Sequence, residues 1–272
     1  MSDPTRTQTL RKQYAQKLRG AFAEINAAAR RGIVENDIFG LQANVSDPPH
    51  SSQSSSDEQV RRFMNWLEQQ EERGILEVID RDDNTFVRSA YSKGVRHADA
   101  ALAQQGIEIP DEDLSALFNR PTHRDTLQSL YTTNYNDLRG ITSDMNTQIS
   151  RELTQGFARG LGSAAIASNI SDSVSTIGKN RATTLAHTQV INAHAESTLN
   201  RFEEFGVDEV TVDAEVLTAG DERVCPICSS LEGETMTVEE ARQGEMTHDG
   251  HTHRSHPPFH ARCRCALLPV VT

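Results

Sequence analysis

Cysteine is scarce and confined. Of 272 residues only four are cysteine, and all fall between Cys225 and Cys265. Lysine is as scarce, four against 23 arginines, in a chain with 39 acidic residues and a formal net charge of -12. Without a basic excess the chain lacks the broad electrostatic footprint by which proteins grip phosphate backbones. No run approaches the ~20 apolar residues of a membrane span, so no membrane partner is expected. The opening MSDPTRTQTLRKQYAQ has no apolar h-region of a secretory signal, and the expectation is a chain made and kept in a cytosol. There, paired cysteines more often signal metal or redox chemistry than disulfides. Also missing are a Gly-x-x-x-x-Gly-Lys-Ser loop, a Gly-x-Gly-x-x-Gly after a strand and a Gly-x-Ser-x-Gly elbow. No catalytic constellation is expected. A GC-rich genome or a salt-rich cytoplasm would each produce an acidic, lysine-poor chain, and the composition leans toward a salt-adapted archaeal setting. High salt would screen the acidity, which then says little about partners.

Apolar residues make up 36% of the chain and the mean hydropathy is -0.56, which implies extended helices with wet faces and a solvated linker. Leu10, Tyr14, Leu18, Phe22, Ile25 and Ala29 recur at spacings of three and four, predicting a helix over 5–33 within an N-terminal amphipathic segment 1–41. Arg11, Lys12, Lys17 and Arg19 are expected on its solvated face, with docking onto a larger partner as the sharper reading. The stretch QANVSDPPHSSQSSSDE has too little apolar area to offset the cost of ordering it, so 42–57 is a flexible linker. Helices are predicted over 58–80 and 84–105, as a short turn after Pro110, and over 122–160 with a kink at Gly140. A turn into a short helix follows at 160–170, and another helix at 179–205. Residues 58–175 thus form a helical body. Beyond 206 the texture changes. DEVTVDAEVLTA alternates as a strand, Thr237 and Glu240 have capping-box spacing, and RCALLPVV is a second strand. The fold class is mainly α with a small C-terminal α+β module stapled by a structural zinc.

The staple is read from two donor groups. Cys225-Pro226-Ile227-Cys228 puts two thiolates on one tight turn, and His260-x-x-Cys263-x-Cys265 supplies the second group. Zinc takes four such ligands in a structural site, so five candidates compete for four places. Cys263 and Cys265 share a strand face and could both ligate; alternatively His260 and Cys263 make the second pair. A loop-rich segment gains folding free energy from the metal, ~10–16 kcal/mol of apparent binding for structural zinc. His248, His251, His253 and His256 with Asp249 invite a competing reading as an open hydrolase or nuclease site. A loop without a periodic scaffold or a His-Glu-x-x-His base is the plainer expectation.

From Arg181 onward the residues resemble a known family. RATTLAHTQVINAHAES is followed by Thr218, Asp221, Glu222, Arg223, Cys225 and Cys228. Then come Leu231 and Gly233, Pro257-Pro258, and His260, Cys263, Arg264 and Cys265. In order and spacing this resembles the Mu F-like minor head proteins of tailed viruses, the head-morphogenesis family, and assigns 176–272 to its domain. Two departures stand out: His187-Thr188-Gln189 replaces the family's Arg-Thr-Glu-like element, and an aromatic before Thr218 is missing. The resemblance implies a low-copy structural protein of the capsid interior or portal vertex. It would enter during assembly in the host cytoplasm and contact portal protein or major capsid protein. Contact with packaged DNA, and a part in its packaging or delivery, complete the expectation. No toxin cargo is expected after the seven residues that follow Cys265.

Overall fold

The computed structural model describes residues 3–35, 39, 56–74, 82–206, 210–248 and 250–272. Most of the linker expected over 42–57, and residues 75–80 of the helix predicted after it, lie outside the described residues. Helix makes up 68% of the described residues, and the strands follow the last long helix, so the described chain is mainly α with a small C-terminal strand region. It divides into two compact units, one of residues 16–81 and 135–183, the other of 1–15, 82–134 and 184–272.

The first unit is built from stretches of four helices: α1 (Gln8–Arg30, continued by a π-helical turn, Arg31–Glu35), α2 (Ser56–Gly74), α5 (Pro121–Ala158) and α6 (Ser163–Phe205). Residues three and four apart bury one stripe on each: Leu18, Phe22, Ile25 and Ala29; Phe63 and Leu67; Leu138, Ile141, Met145 and Ile149; Ile166, Ile170 and Val174. Phe39 adds rings at 5.4 Å to Phe63 and 5.0 Å to Phe157. The separate pieces predicted at 160–170 and 179–205 are one 43-residue helix, α6. Gly178 does not break it, because the missing side chain is used for packing: a Cβ there would lie 3.0 Å from Phe22 Cβ. That contact offsets the ~1 kcal/mol a mid-helix glycine costs. Gly140 likewise lies inside α5 without interrupting it.

The second unit holds α3 (Thr85–Gln104) and α4 (Leu114–Phe118), each with a side-chain cap. Asn84 accepts from the N–H groups of Phe86 and Val87, and Asp113 from Ser115. It also contains the sheet, in which β1 (Val212–Leu217) runs antiparallel between β2 (Thr235–Met236) and β5 (Ala266–Val271). Register runs from Val212 opposite Val271 to Leu217 opposite Ala266. Val212, Ala214 and Val216, at period two, turn one face inward with Leu267. That face shares a single core with Ala98 and Leu102 of α3 and Leu199 and Phe202 of α6. His97 reinforces the join, its Nε2 donating to the Leu267 carbonyl over 2.8 Å. Two short helices, α7 (Pro226–Ser230) and α8 (Val238–Gln243), lie between strands, and Thr237 with Glu240 forms the expected capping box.

The histidine-rich segment expected as a loop is instead a hairpin. β3 (Glu245–His248) pairs with β4 (His251–Arg254) in a register from Glu245 opposite Arg254 to His248 opposite His251. The signal was present in Asp249-Gly250, the dipeptide that two-residue hairpin turns favour.

Candidate metal centre

Cys225 caps α7, with Pro226 in the first helical turn. Its sulfur accepts the Cys228 N–H at 3.4 Å, so the tight turn holds both thiols on one side. The second donor group sits on a turn in which the Cys263 N–H reaches the His260 carbonyl at 3.1 Å and Arg262 takes a left-handed φ of 65°. β5 starts directly after Cys265, so its ladder with β1 fixes where this turn ends.

The five predicted residues come together. His260 Nε2 lies 3.1 Å from both Cys225 Sγ and Cys228 Sγ, and Cys228 Sγ lies 3.9 Å from Cys263 Sγ. Donor atoms of Cys225, Cys228 and His260 are all within 4.8 Å of one another, as are those of Cys228, Cys263 and Cys265. Cys228, Cys263 and Cys265 are buried and Cys225 is half-buried. Buried thiolates packed this closely repel, so Cys228 and Cys265 are pushed up while Cys263, hydrogen-bonded by both, is pulled down. A proton or a cation must sit among them. Soft sulfur and imidazole donors at this spacing suit zinc, so the residues fit the metal.

The loops that carry the donors are clamped by residues of the Thr-x-x-Asp-Glu-Arg run. Arg264, between Cys263 and Cys265, donates from both terminal nitrogens to the two Asp221 oxygens at 2.7 and 2.6 Å. Asp221 also accepts the Arg223 N–H at 3.0 Å. The Arg264 hydrogen bonds hold its carboxyl well below the usual carboxylate range. The Thr218 N–H donates to Glu232 at 2.8 Å, tying the end of β1 to the loop after α7. The bidentate fork thus fastens one ligand-bearing loop to the other.

A second set of supports was not legible in the sequence. Arg11, expected on a solvated face, is 7% exposed. It pairs with Asp3 and donates to His187 Nε2 at 2.6 Å. The Cys263 backbone lies beside the same ring and favours its protonated form. Burial, and then Arg11, lower its pKa to about 4, so the ring stays neutral and can accept on one nitrogen and donate from the other. At the position where the family has an Arg-Thr-Glu-like element, the cation therefore comes from α1. Nothing in the spacing of Arg11 distinguishes it from Lys12 or Arg19; only tertiary packing does.

His253 on the hairpin and His256 just after it each turn one ring nitrogen to a backbone carbonyl. His253 Nδ1 donates to the Phe259 carbonyl at 3.0 Å, and His256 Nδ1 to that of Pro257 at 2.8 Å. His256 Nε2 faces Glu196 at 3.6 Å, and Arg242 reaches the same carboxylate at 3.1 Å. The side chains of His248 and His251 lie outside the described residues. Among the described residues, only the Cys/His groups around Cys228 have metal-binding spacing.

A mainly helical chain closed by a strand-bearing, Cys/His-clustered C-terminal region is the class that fold and site define. Within it, residues 147–268 match the family model described as Phage Mu protein F like protein. The recognition made from the motifs is borne out, and the match supports a Mu F-like phage head morphogenesis protein. It reaches back from the quoted motifs into α5. Such a family implies capsid-related partners and a place in the virion. No curated protein and no solved structure matches the chain. No described helix is long and apolar enough to cross a membrane.

Proposed function

We propose that this chain is a minor, low-copy structural component of a phage head, held in the head interior or at the portal vertex. There it takes part in capsid assembly and in the packaging or delivery of DNA. The observation that carries the reading is the family match over 147–268. In this reading the work is done by surfaces: the helical body and α1 meet portal protein or major capsid protein, with packaged DNA as a further contact. The C-terminal donors hold a structural zinc that keeps two loops and β5 in one piece, and no bond of a substrate is broken. The acidic, lysine-poor composition supports a host with a salty cytoplasm, an archaeon in the furthest form of this reading.

The test is quantitative mass spectrometry of purified particles of the source virus, with the major capsid protein as internal standard. A low and constant ratio from one preparation to the next is the expected result. Absence of the chain from mature particles would overturn a built-in role.

A further inference from the structure

Five donors surround a metal position that needs four, and sulfur spacing alone does not choose between them: Cys228 Sγ is 3.9 Å from Cys263 Sγ. Three other observations do choose. The first is the tautomer of His260. Its Nδ1 lies 2.7 Å from the Ala261 carbonyl, an acceptor only, so that nitrogen carries the hydrogen and donates. The lone pair is then on Nε2, which faces the Cys225 and Cys228 sulfurs at 3.1 Å each. A ligating histidine is held in this way, with the far nitrogen fixed by a carbonyl and the near one bare toward the ion. His260 is thus placed as a ligand.

The second observation is a small cleft whose walls include Cys225, Cys228, His260 and Cys265. Cys263 is not among its walls. The third is that Cys263 has partners of its own. It is 1% exposed, with the backbone of Cys265 and Phe259 beside its sulfur and the His187 ring beside its own backbone. It is the point at which the Asp3–Arg11–His187 chain joins the module.

We infer that the metal is held by Cys225, Cys228, His260 and Cys265, and that Cys263 stands outside the coordination sphere as a packing and linking residue. The inference rests on the zinc part of the proposed function, and the test separates the two. The full-length chain is loaded with Co2+, whose ligand-field and thiolate charge-transfer bands report tetrahedral geometry and the number of sulfurs. Metal per chain is measured in parallel by inductively coupled plasma mass spectrometry, and circular dichroism checks that the helices remain.

The expected result is one tetrahedral ion with three-thiolate intensity in the wild type and an unchanged spectrum in Cys263→Ser. His260→Ala and Cys265→Ser are expected to lose more than the ~10–100-fold in affinity that an outer-shell partner costs. Should Cys265→Ser fail to fold, Cys263→Ser and His260→Ala still decide. Loss of one thiolate's intensity in Cys263→Ser, or an unaltered spectrum in His260→Ala, overturns this ligand set and leaves zinc in place. A wild type that takes up no Co2+ or Zn2+ overturns both.

Discussion

Arg11 carries the sharpest test among single residues. It is buried, it pairs with Asp3, and it supplies the hydrogen that His187 Nε2 accepts. Truncation leaves a carboxylate and an imidazole nitrogen without their partner in a dry site, so Arg11→Ala is expected to cost ~3–5 kcal/mol, the range for breaking a buried ion pair. Chemical denaturation of the variant beside Asp3→Asn and the double mutant checks this, with non-additivity expected. Glu204 gives a pH-dependent test. It is faced by Arg201 at 2.5 Å, His123 at 3.1 Å and Arg120 at 3.2 Å, and Arg201 also holds Asp99 at 2.7 Å. Burial pushes its pKa up, but the hydrogen bonds from His123 and Arg201 outweigh that and hold it at about 2, below the ordinary 4.5. A depressed carboxylate stabilises fully above its unfolded value and progressively less below it. The stability gap between wild type and Glu204→Gln is therefore expected at neutral pH and should close as pH falls from 4.5 to about 2. The five Cys/His residues were legible because ligand spacing is local in sequence. Arg11 and Glu204 were not, because His187 lies 176 residues from Arg11 and His123 lies 81 from Glu204.

Among the elements, the packing of α3 on α6 depends on Gly94. A Cβ there would overlap Ser197 Oγ and the His194 backbone carbonyl, and backbone cannot swing aside. Gly94→Ala is expected to lose ~1–3 kcal/mol or more through overpacking, although alanine has the better helix propensity; thermal melting of the variant checks it. Helix propensity alone predicts the opposite sign. The same balance explains where the elements were and were not readable. Capping by Thr237 and the alternation of β1 are local signals and appear where expected. The continuity of α6 through Gly178 depends on Phe22, some 150 residues earlier, and no window of sequence contains both. The β3–β4 hairpin is a different case. The Asp249-Gly250 dipeptide is a local turn signal, but the polar, histidine-rich runs on either side lack the apolar alternation that marks a strand.

On the scale of the whole molecule, the metal should stabilise one unit and leave the other untouched. All five donors, and the sheet they brace, lie in the unit of residues 1–15, 82–134 and 184–272. Chelation is expected to raise hydrogen exchange sharply over 212–271, with α3 and the 184–205 part of α6 following through their shared core. Amides of 135–183 should keep their protection, since that unit's buried stripes contain no donor. Uniform loss of protection along the chain would count against this division.

The discontinuity of that unit has a consequence for synthesis. Residues 3–15 share a unit with residues that follow 183, so an early segment gains the last of its partners only when a much later one has been made. The intervening unit, complete once residue 183 has emerged, can form while Arg11 still lacks His187. Closure of the Asp3–Arg11–His187 chain is then a late, long-range event, slow in the way that contacts of high sequence separation are. Until it happens the polypeptide carries an open N-terminal arm and an unfinished thiol cluster.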